Sequence, residues 1–211
     1  MKYNYIVIEG NIGAGKTTLA KMLARDYQAN LLLEEFADNP FLPKFYQNPE
    51  KYAFHVELSF MATRYQQLVN ELPYQNLFKT FSLADFYFSK SLLFARITLS
   101  EPEYRLYRQI FDIIYKSIPR PDLYVYLHVN VDKLIENIQQ RGRDYEQDLQ
   151  TDYLKQLEKE YFNYMKRQTD MPIVVLDMNN IDFVEKMPDY ERVKDAIFNK
   201  EHLLGINRYI F

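Results

Sequence analysis

The stretch "EGNIGAGKTT", residues 9–18, constrains this chain of 211 residues more than any other. It contains the pattern G-x-x-x-x-G-K-T and holds three of the chain's five glycines. A short apolar run, "YNYIVIE" at 3–9, precedes it, and a segment with helical periodicity, 16–27, follows it. A strand, a glycine-rich turn and a helix in this order predict a loop that binds the phosphates of a nucleotide.

Each part of this loop has a chemical role. Glycines let successive backbone N–H groups point at phosphate oxygens, and the helix N-terminus adds the positive end of its dipole. Lys16 is expected to bridge the β- and γ-phosphates of ATP, and the Thr17 hydroxyl is placed to bind the accompanying Mg²⁺. The residues predicted to bind ATP are Gly10, Asn11, Ile12, Gly13, Ala14, Gly15, Lys16, Thr17 and Thr18.

The rest of the chain alternates short apolar runs with longer segments of helical periodicity. The predicted strands are 3–9, 30–34, 77–85, 122–129 and 172–177. The predicted helices are 16–27, 41–47, 50–71, 87–98, 101–117, 131–141, 151–168 and 189–200, the fifth with a capping box of Ser100 and Glu103. This alternation predicts a doubly wound α/β fold with a five-stranded parallel sheet, in a single domain over 1–211.

Composition excludes several classes of function. The formal charge of -3 gives no general attraction to nucleic acid, so we expect no nucleic acid polymer as a partner. The chain has no cysteine, and its three histidines lack metal-site spacing. No apolar stretch is long enough to cross a membrane, so we expect no membrane partner and a cytoplasmic location.

Charged side chains that follow two of the predicted strands suggest where transfer chemistry takes place. Glu34 ends the second strand at the edge that faces the phosphate loop, where a carboxylate is placed to take a proton from an attacking hydroxyl. Arg141 and Arg143, on either side of a glycine, are suited to a mobile lid, about 137–150, that clamps a transferring phosphoryl group. Solvated acids and a cationic helix end are the structural alternatives.

The predicted helix at 50–71 carries a second candidate site. Glu57 and Arg64 lie seven residues apart and therefore on one side, next to apolar residues on nearby bearings. Such an edge suits hydrogen bonding to a planar base, although a boundary between core and solvent explains it almost as well.

Five stretches of this chain together resemble the deoxynucleoside kinases, the family of deoxycytidine, deoxyguanosine and deoxyadenosine kinases, and in particular its bacterial members. They are "GNIGAGKTT", "EEFADNPFLPKFY", "YQNPEKYAF", "SKSLLFA" and "RGRDYEQ". The resemblance covers nearly the whole chain and implies a P-loop kinase fold, three-layer α/β/α with a five-stranded parallel sheet and a lid. It implies an ATP-dependent transfer of the γ-phosphate to the 5′-hydroxyl of a deoxynucleoside in nucleoside salvage, with Mg²⁺ as cofactor and a homodimer as the assembly.

The resemblance also implies roles for individual residues. Glu34 corresponds to the base that acts on the 5′-hydroxyl, although the family's proline after it is absent here. Tyr46 and Glu146 correspond to the residues that hold the 3′-hydroxyl. Phe94 corresponds to the aromatic residue that stacks on the base, and Arg64 to the arginine near the edge of the base. Arg141 and Arg143 correspond to the lid arginines that clamp phosphates.

Two departures from the family pattern bear on substrate and mechanism. Glu57 stands where the family usually has a glutamine that contacts the base, and a carboxylate accepts hydrogen bonds only, which favours guanine or an amino group of adenine or cytosine over thymine. After the third strand, Asp85 remains as a carboxylate on the Mg²⁺ side, but Phe86 replaces the adjacent arginine. Lys90 is a candidate for the missing positive charge.

The sequence is also compatible with two other functions. A nucleoside monophosphate kinase of the thymidylate type shares the phosphate loop and lid, and a nucleotide-binding regulator without transferase activity needs only the loop. The final "INRYIF", after Gly205, is apolar enough to pack on the body of the protein or on a partner.

Overall fold

The computed structural model describes residues 2–35, 39–72, 81–143, 146 and 149–211. Within these residues, a parallel sheet has the strand order β2-β3-β1-β4-β5-β6. The strands are β1 (Tyr5–Gly10), β2 (Asn30–Leu32), β3 (Ser82–Ala84), β4 (Leu123–His128), β5 (Pro172–Asp177) and β6 (Gly205–Ile210). The helices are α1 (Lys16–Tyr27), α2 (Leu42–Gln47), α3 (Pro49–Glu71), α4 (Lys90–Thr98), α5 (Glu101–Tyr115), α6 (Val131–Arg141), α7 (Thr151–Arg167) and α8 (Met187–Phe198).

The predicted α/β fold is confirmed, but the prediction of five strands is wrong because the C-terminal segment forms a sixth. Strand β6 pairs in parallel with β5, from Gly205 opposite Pro172 to Ile210 opposite Asp177. It is a partly exposed edge strand, and polar Asn207 and Arg208 interrupt its apolar run. The segment therefore lacks the continuous apolar pattern of a strand that is buried on both faces.

Helices cover both faces of the sheet, and each face has its own apolar core. Alternate side chains of β1 point to opposite faces, so that Ile6 and Ile8 join one core cluster while Tyr5 and Val7 join the other. Because both faces are buried, the central strands are apolar at most positions, with Glu9 of β1 an exception. Each fully buried aliphatic side chain contributes about 1.5–3 kcal/mol to stability.

The strand order determines which loops meet at the site. Strands β2, β3 and β1 are neighbours, and all three end at the same edge of the sheet because they are parallel. The chain leaves β1 into the phosphate loop, β2 towards Glu34, and β3 into Asp85. The predicted strand at 77–85 is observed only as Ser82–Ala84, and residues 77–80 lie outside the described residues.

Two smaller expectations concern the helices. The capping box of Ser100 and Glu103 is present at the start of α5, where the Glu103 carboxylate accepts from the Ser100 backbone N–H at 3.0 Å. None of the helices in the described part of the chain is long and apolar enough to cross a bilayer.

Candidate active site

The phosphate loop joins β1 to α1 in the predicted context of strand, turn and helix. Gly13 has φ +81°, and a Cβ atom there would lie 2.8 Å from the carbonyl oxygen of Leu134, so only glycine fits. The side chain of Asn137 on α6 donates to the Gly13 carbonyl at 2.8 Å. This hydrogen bond connects α6, which leads into the predicted lid, to the phosphate loop.

Lys16 begins α1, and its ammonium donates to the carbonyl oxygen of Asn11 at 2.8 Å. Burial and the nearby charge of Lys90 lower the pKa of Lys16 to about 8, although Glu9 and Glu34 oppose the shift. Burial has thus removed water from around the Lys16 ammonium, and the oxygens of a bound phosphate would take the place of that water.

The Asp85 carboxylate connects the phosphate loop to Glu34. Its Oδ2 accepts a hydrogen bond from the Thr17 hydroxyl, and its Oδ1 accepts from the backbone N–H of Glu34 at 2.7 Å. A hydroxyl and a carboxylate are hard oxygen ligands, which suit a Mg²⁺ ion that takes its other ligands from phosphates and water. The described residues contain no cluster of three or more histidine, cysteine or acidic side chains that would form an all-protein metal site.

Glu34 lies between two buried cations. Arg64 on α3 approaches Oε1 of Glu34 at 2.7 Å through Nη2, and Lys90 at the start of α4 forms an ion pair with Oε2. Burial disfavours the charged carboxylate, but the charges and hydrogen bonds of Lys90 and Arg64 outweigh it and lower the pKa of Glu34 to about 2. Glu34 is therefore ionised at neutral pH and held in a fixed position.

A cavity opens from Glu34 between α2, α3, α4 and α7, and we call it the acceptor cavity. Phe94, Tyr46 and Tyr153 contribute aromatic walls, while Glu57 and Arg64 contribute polar groups. The ammonium of Lys90 lies 5.4 Å from the centre of the Phe94 ring. An apolar slot with a few polar groups suits a planar base joined to a polar sugar.

Glu57 is almost fully buried on α3, and its Oε1 accepts from the Thr98 hydroxyl of α4 at 2.9 Å. Burial raises the pKa of the Glu57 carboxyl to about 7, against the opposing charge of Arg64. The prediction that Glu57 and Arg64 share one side of the helix agrees with the structure, since both line the acceptor cavity.

The lid residues meet through one carboxylate. Glu146 accepts hydrogen bonds from both predicted lid arginines, from Arg141 through Nη2 and from Arg143 through Nη1 at 3.2 Å. Part of the predicted lid, 144–145 and 147–148, lies outside the described residues. The three charged lid residues therefore form one cluster at the wall of the acceptor cavity.

A second cavity, which we call the donor cleft, lies over the phosphate loop. Residues Gly13 to Thr18 line it together with Lys133 on α6 and Phe183 after β5. Ile12 lines the acceptor cavity instead, while Gly10 and Asn11 line neither cavity. The Asn11 side chain donates to the Leu154 carbonyl at 2.8 Å and thus supports the loop from behind.

The two cavities meet at a group of six residues that line both, and we call this group the junction. Its members are Lys16, Thr17, Glu34, Asp85, Arg141 and Arg143. Three lysine or arginine side chains and two carboxylates thus surround the place where a molecule in one cavity would touch a molecule in the other. This arrangement suits the transfer of an anionic group between two bound molecules.

Sequence reasoning did not assign several residues that the structure brings to the site. Tyr153 comes from α7, far along the chain, and Phe60 on α3 has the spacing of an ordinary core residue. Glu9 is fully buried behind the loop, where it accepts from Tyr161 at 2.9 Å and from the backbone N–H of Tyr87 at 2.7 Å. In the sequence, the one sign that Glu9 belongs to the site is its position directly before the phosphate loop.

Phe86 does not reach the site, because it is completely buried in the core cluster on the α3 side of the sheet. Lys90, four residues further on, places its ammonium on Glu34 instead. The position that carries arginine in the family pattern thus belongs to the core here. Lys90, in the first turn of α4, supplies a cation beside Glu34 in addition to Arg64.

Comparison with known proteins gives a consistent match. The family model described as deoxynucleoside kinase matches residues 6–203. A deoxyguanosine kinase of Bacillus subtilis (strain 168) is 33% identical over 193 residues, which cover 90% of this chain and 93% of that protein. A deoxyadenosine kinase of Dictyostelium discoideum is 32% identical over 184 residues, 86% of this chain and 74% of that protein.

Among solved structures, a deoxyadenosine kinase from M. mycoides with bound dATP has a similar fold. The TM-score is 0.79 at 22% sequence identity, and the match covers 92% of this chain and 99% of the other.

Proposed function

The chain belongs to the deoxynucleoside kinase family, and from this premise we propose that its junction transfers the γ-phosphate of ATP to the 5′-hydroxyl of a deoxynucleoside. The observation that carries the proposal is that two cavities, one with a phosphate loop and one with aromatic walls, share the junction residues around Glu34. A nucleoside in the acceptor cavity would direct its sugar towards ATP in the donor cleft.

The proposed reaction forms one bond and breaks another at phosphorus. The 5′-oxygen attacks the γ-phosphorus in line, the bond from phosphorus to the β,γ-bridging oxygen breaks, and ADP leaves with the electron pair. The 5′-hydroxyl proton passes to the Glu34 carboxylate. A carboxyl with a pKa of about 2 is a weak base, so Glu34 orients the hydroxyl and receives the proton late, which is sufficient for a loose transition state.

The cations of the junction stabilise the charge that moves from the γ-phosphate to ADP. Lys16 is proposed to hold the β- and γ-phosphates, while Arg141 and Arg143 leave Glu146 to clamp the transferring group. Glu146 then accepts a hydrogen bond from the 3′-hydroxyl of the sugar, which Tyr46 also contacts. Phe94 stacks on the base. Binding of both substrates would in this way assemble the lid.

We propose Mg²⁺ as the cofactor that accompanies ATP. The Thr17 hydroxyl and the Asp85 carboxylate would hold it, and both face the donor cleft. When bound, Mg²⁺ neutralises charge on the phosphates.

Product formation from separate substrates tests this function. Purified protein with ATP and Mg²⁺ would receive each deoxynucleoside, each deoxynucleoside monophosphate, or no acceptor. We expect ADP and a 5′-monophosphate from at least one deoxynucleoside, purines included, since the relatives named above act on deoxyguanosine and deoxyadenosine.

The other two arms distinguish the alternatives. Phosphorylation of monophosphates alone would indicate a thymidylate-type kinase, and ATP hydrolysis without any acceptor would indicate a regulator. Either result, without a phosphorylated deoxynucleoside, would overturn the proposal.

We also propose a homodimer formed through helices that flank the sheet. Helix α5 supports this, since Leu106 and Ile113 are 51% and 72% exposed and lie seven residues apart on one side. A stripe of this kind on a surface helix is typical of a contact between copies.

A further inference from the structure

Among the described residues, one carboxyl of the acceptor cavity has no cation paired with it. Glu57 is 4% exposed, and in the described part of the chain its side chain accepts one hydrogen bond, from the Thr98 hydroxyl to Oε1. Within the described residues Glu57 forms no ion pair, whereas Glu34 in the same cavity is paired with both Arg64 and Lys90. The Glu57 carboxyl is thus buried, held at one oxygen by a neutral hydroxyl, and adjacent to the space where a base would lie.

Charged and titratable groups from several elements surround Glu57 in the cavity. They are Arg64 on α3, Glu34 after β2, Lys90 on α4, Tyr107 on α5, Tyr153 on α7 and Tyr46 on α2. The lid residues Arg141, Arg143 and Glu146 line the same cavity. Arg64 donates to Glu34 and, through Nη1, to Ser91 at 2.8 Å, and Lys90 also contacts Glu34. Burial raises the pKa of Tyr107 and Tyr153 above their usual range, so neither carries charge near neutral pH.

These surroundings allow Glu57 to exist in two forms near neutral pH. Burial raises its pKa to about 7, with Arg64, Thr98 and Lys90 opposing the shift. The two forms present different hydrogen-bonding patterns: an ionised carboxylate only accepts, while a protonated carboxyl offers one O–H donor beside a carbonyl acceptor.

We propose, on the basis of the kinase function above, that Glu57 contacts the Watson–Crick edge of the base and that its protonation state selects which base is phosphorylated. Guanine presents two adjacent donors, N1–H and the 2-amino group, which match the ionised carboxylate. Adenine presents an acceptor, N1, beside the 6-amino donor, and cytosine presents N3 beside its 4-amino donor, and both match the protonated carboxyl. The same cavity therefore prefers deoxyguanosine when Glu57 is ionised and deoxyadenosine or deoxycytidine when it is protonated.

The sign of the pH dependence follows from these pairings. Raising the pH ionises Glu57, so kcat/KM for deoxyguanosine rises and kcat/KM for deoxyadenosine falls. Their ratio should increase about tenfold per pH unit near the pKa of Glu57, because kcat/KM reports the protonation state of the free enzyme. A ratio is the suitable measure, since pH effects on ATP, Lys16 or the lid are common to both substrates and cancel.

The experiment measures this ratio from pH 5.5 to 8.5 in the wild type, in Glu57→Gln and in Thr98→Val. An amide does not titrate, so Glu57→Gln should give a flat ratio while the rate for each nucleoside still follows the common pH profile. Thr98→Val removes a hydrogen bond that favours the ionised form, so it should shift the whole curve of the ratio to higher pH relative to the wild type.

A binding measurement keeps the test informative if a variant fails to fold. Wild-type protein without ATP, titrated calorimetrically at pH 7 in two buffers of different ionisation enthalpy, should release protons on binding deoxyguanosine and take them up on binding deoxyadenosine.

Each outcome decides the proposal. A wild-type ratio that stays constant with pH while both nucleosides are phosphorylated would overturn the role of Glu57 and leave the kinase function intact, and so would a Glu57→Gln enzyme that keeps the slope. If no deoxynucleoside is phosphorylated at any pH, the kinase function itself fails and the inference falls with it.

Discussion

At the scale of single residues, Glu34 shows how the surroundings of one side chain select its role. With Arg64 on one oxygen and Lys90 on the other, the carboxylate stays ionised well below neutral pH. Glu57, two turns before Arg64 on the same helix, has no such pairing with any residue that the structure describes, and burial raises its pKa to about 7. We therefore propose different tasks for two buried glutamates in one cavity, one towards the reacting hydroxyl and one towards the base.

Replacing Lys90 tests whether its ammonium supplies the cation beside Glu34. In Lys90→Met, Glu34 keeps only Arg64, so the pKa of Glu34 rises and the fall of kcat/KM at acidic pH should begin at a higher pH. Loss of a hydrogen bond to a charged group costs about 1.5–3 kcal/mol, so kcat/KM at pH 7 should fall roughly 10- to 100-fold. The measurement is the pH profile of kcat/KM.

Two further variants control this result. Lys90→Arg should recover part of the activity, and Lys155→Met, which changes an exposed lysine of α7, should behave as the wild type. A Lys90→Met enzyme with an unchanged profile would show that Glu34 does not depend on Lys90.

Several site residues could be located from the sequence because short-range patterns mark them. The phosphate loop has a fixed spacing, and Glu34 and Asp85 directly follow strands, whose parallel order brings them to one edge. Lys90 was only a candidate, and Tyr153 was not found at all. Its place in the cavity depends on how α7 packs against the sheet, which no local spacing encodes.

At the scale of elements, periodicity and capping residues predicted most helix bounds, but they did not predict the edge strand β6. Central strands were recognised because burial on both faces leaves them apolar over most of their length. Strand β6 has one neighbour and partly exposed side chains, so its polar residues are compatible with either a strand or a tail. Its parallel pairing with β5 in the structure shows that it is a strand.

Helix α5 is the element on which the proposed dimer depends. Ile113→Glu would place a charge within the exposed apolar stripe, and a desolvated charge at an interface is costly. We expect the wild type to have the mass of two chains by light scattering, and the variant to shift towards the mass of one.

Leu203→Glu provides the matched control, because Leu203 is 78% exposed and precedes β6 rather than lying on α5. A wild type with the mass of a single chain would contradict the dimer, and a dimer that Ile113→Glu leaves unchanged would exclude α5 as its interface.

At the scale of the whole molecule, the fold brings two cavities together at one group of charges. The donor cleft is built by the phosphate loop, α1, α6 and the segment after β5, and the acceptor cavity by α2, α3, α4 and α7. The junction lies at the carboxyl ends of β1, β2 and β3, where the phosphate loop, Glu34 and Asp85 meet. The sequence predicted both ligand classes, but the sharing of the junction by two cavities is visible only in three dimensions.

The rate of the chemical step in Glu34→Gln tests the central claim most directly, measured as single-turnover transfer of the γ-phosphate from ATP to deoxyguanosine. The amide keeps the shape of the side chain but cannot accept the proton, so we predict a fall of about 10²- to 10⁴-fold relative to the wild type. Glu35→Gln, an exposed neighbour that lines neither cavity, should remain within about twofold of the wild type. Transfer by Glu34→Gln at the wild-type rate would contradict the account.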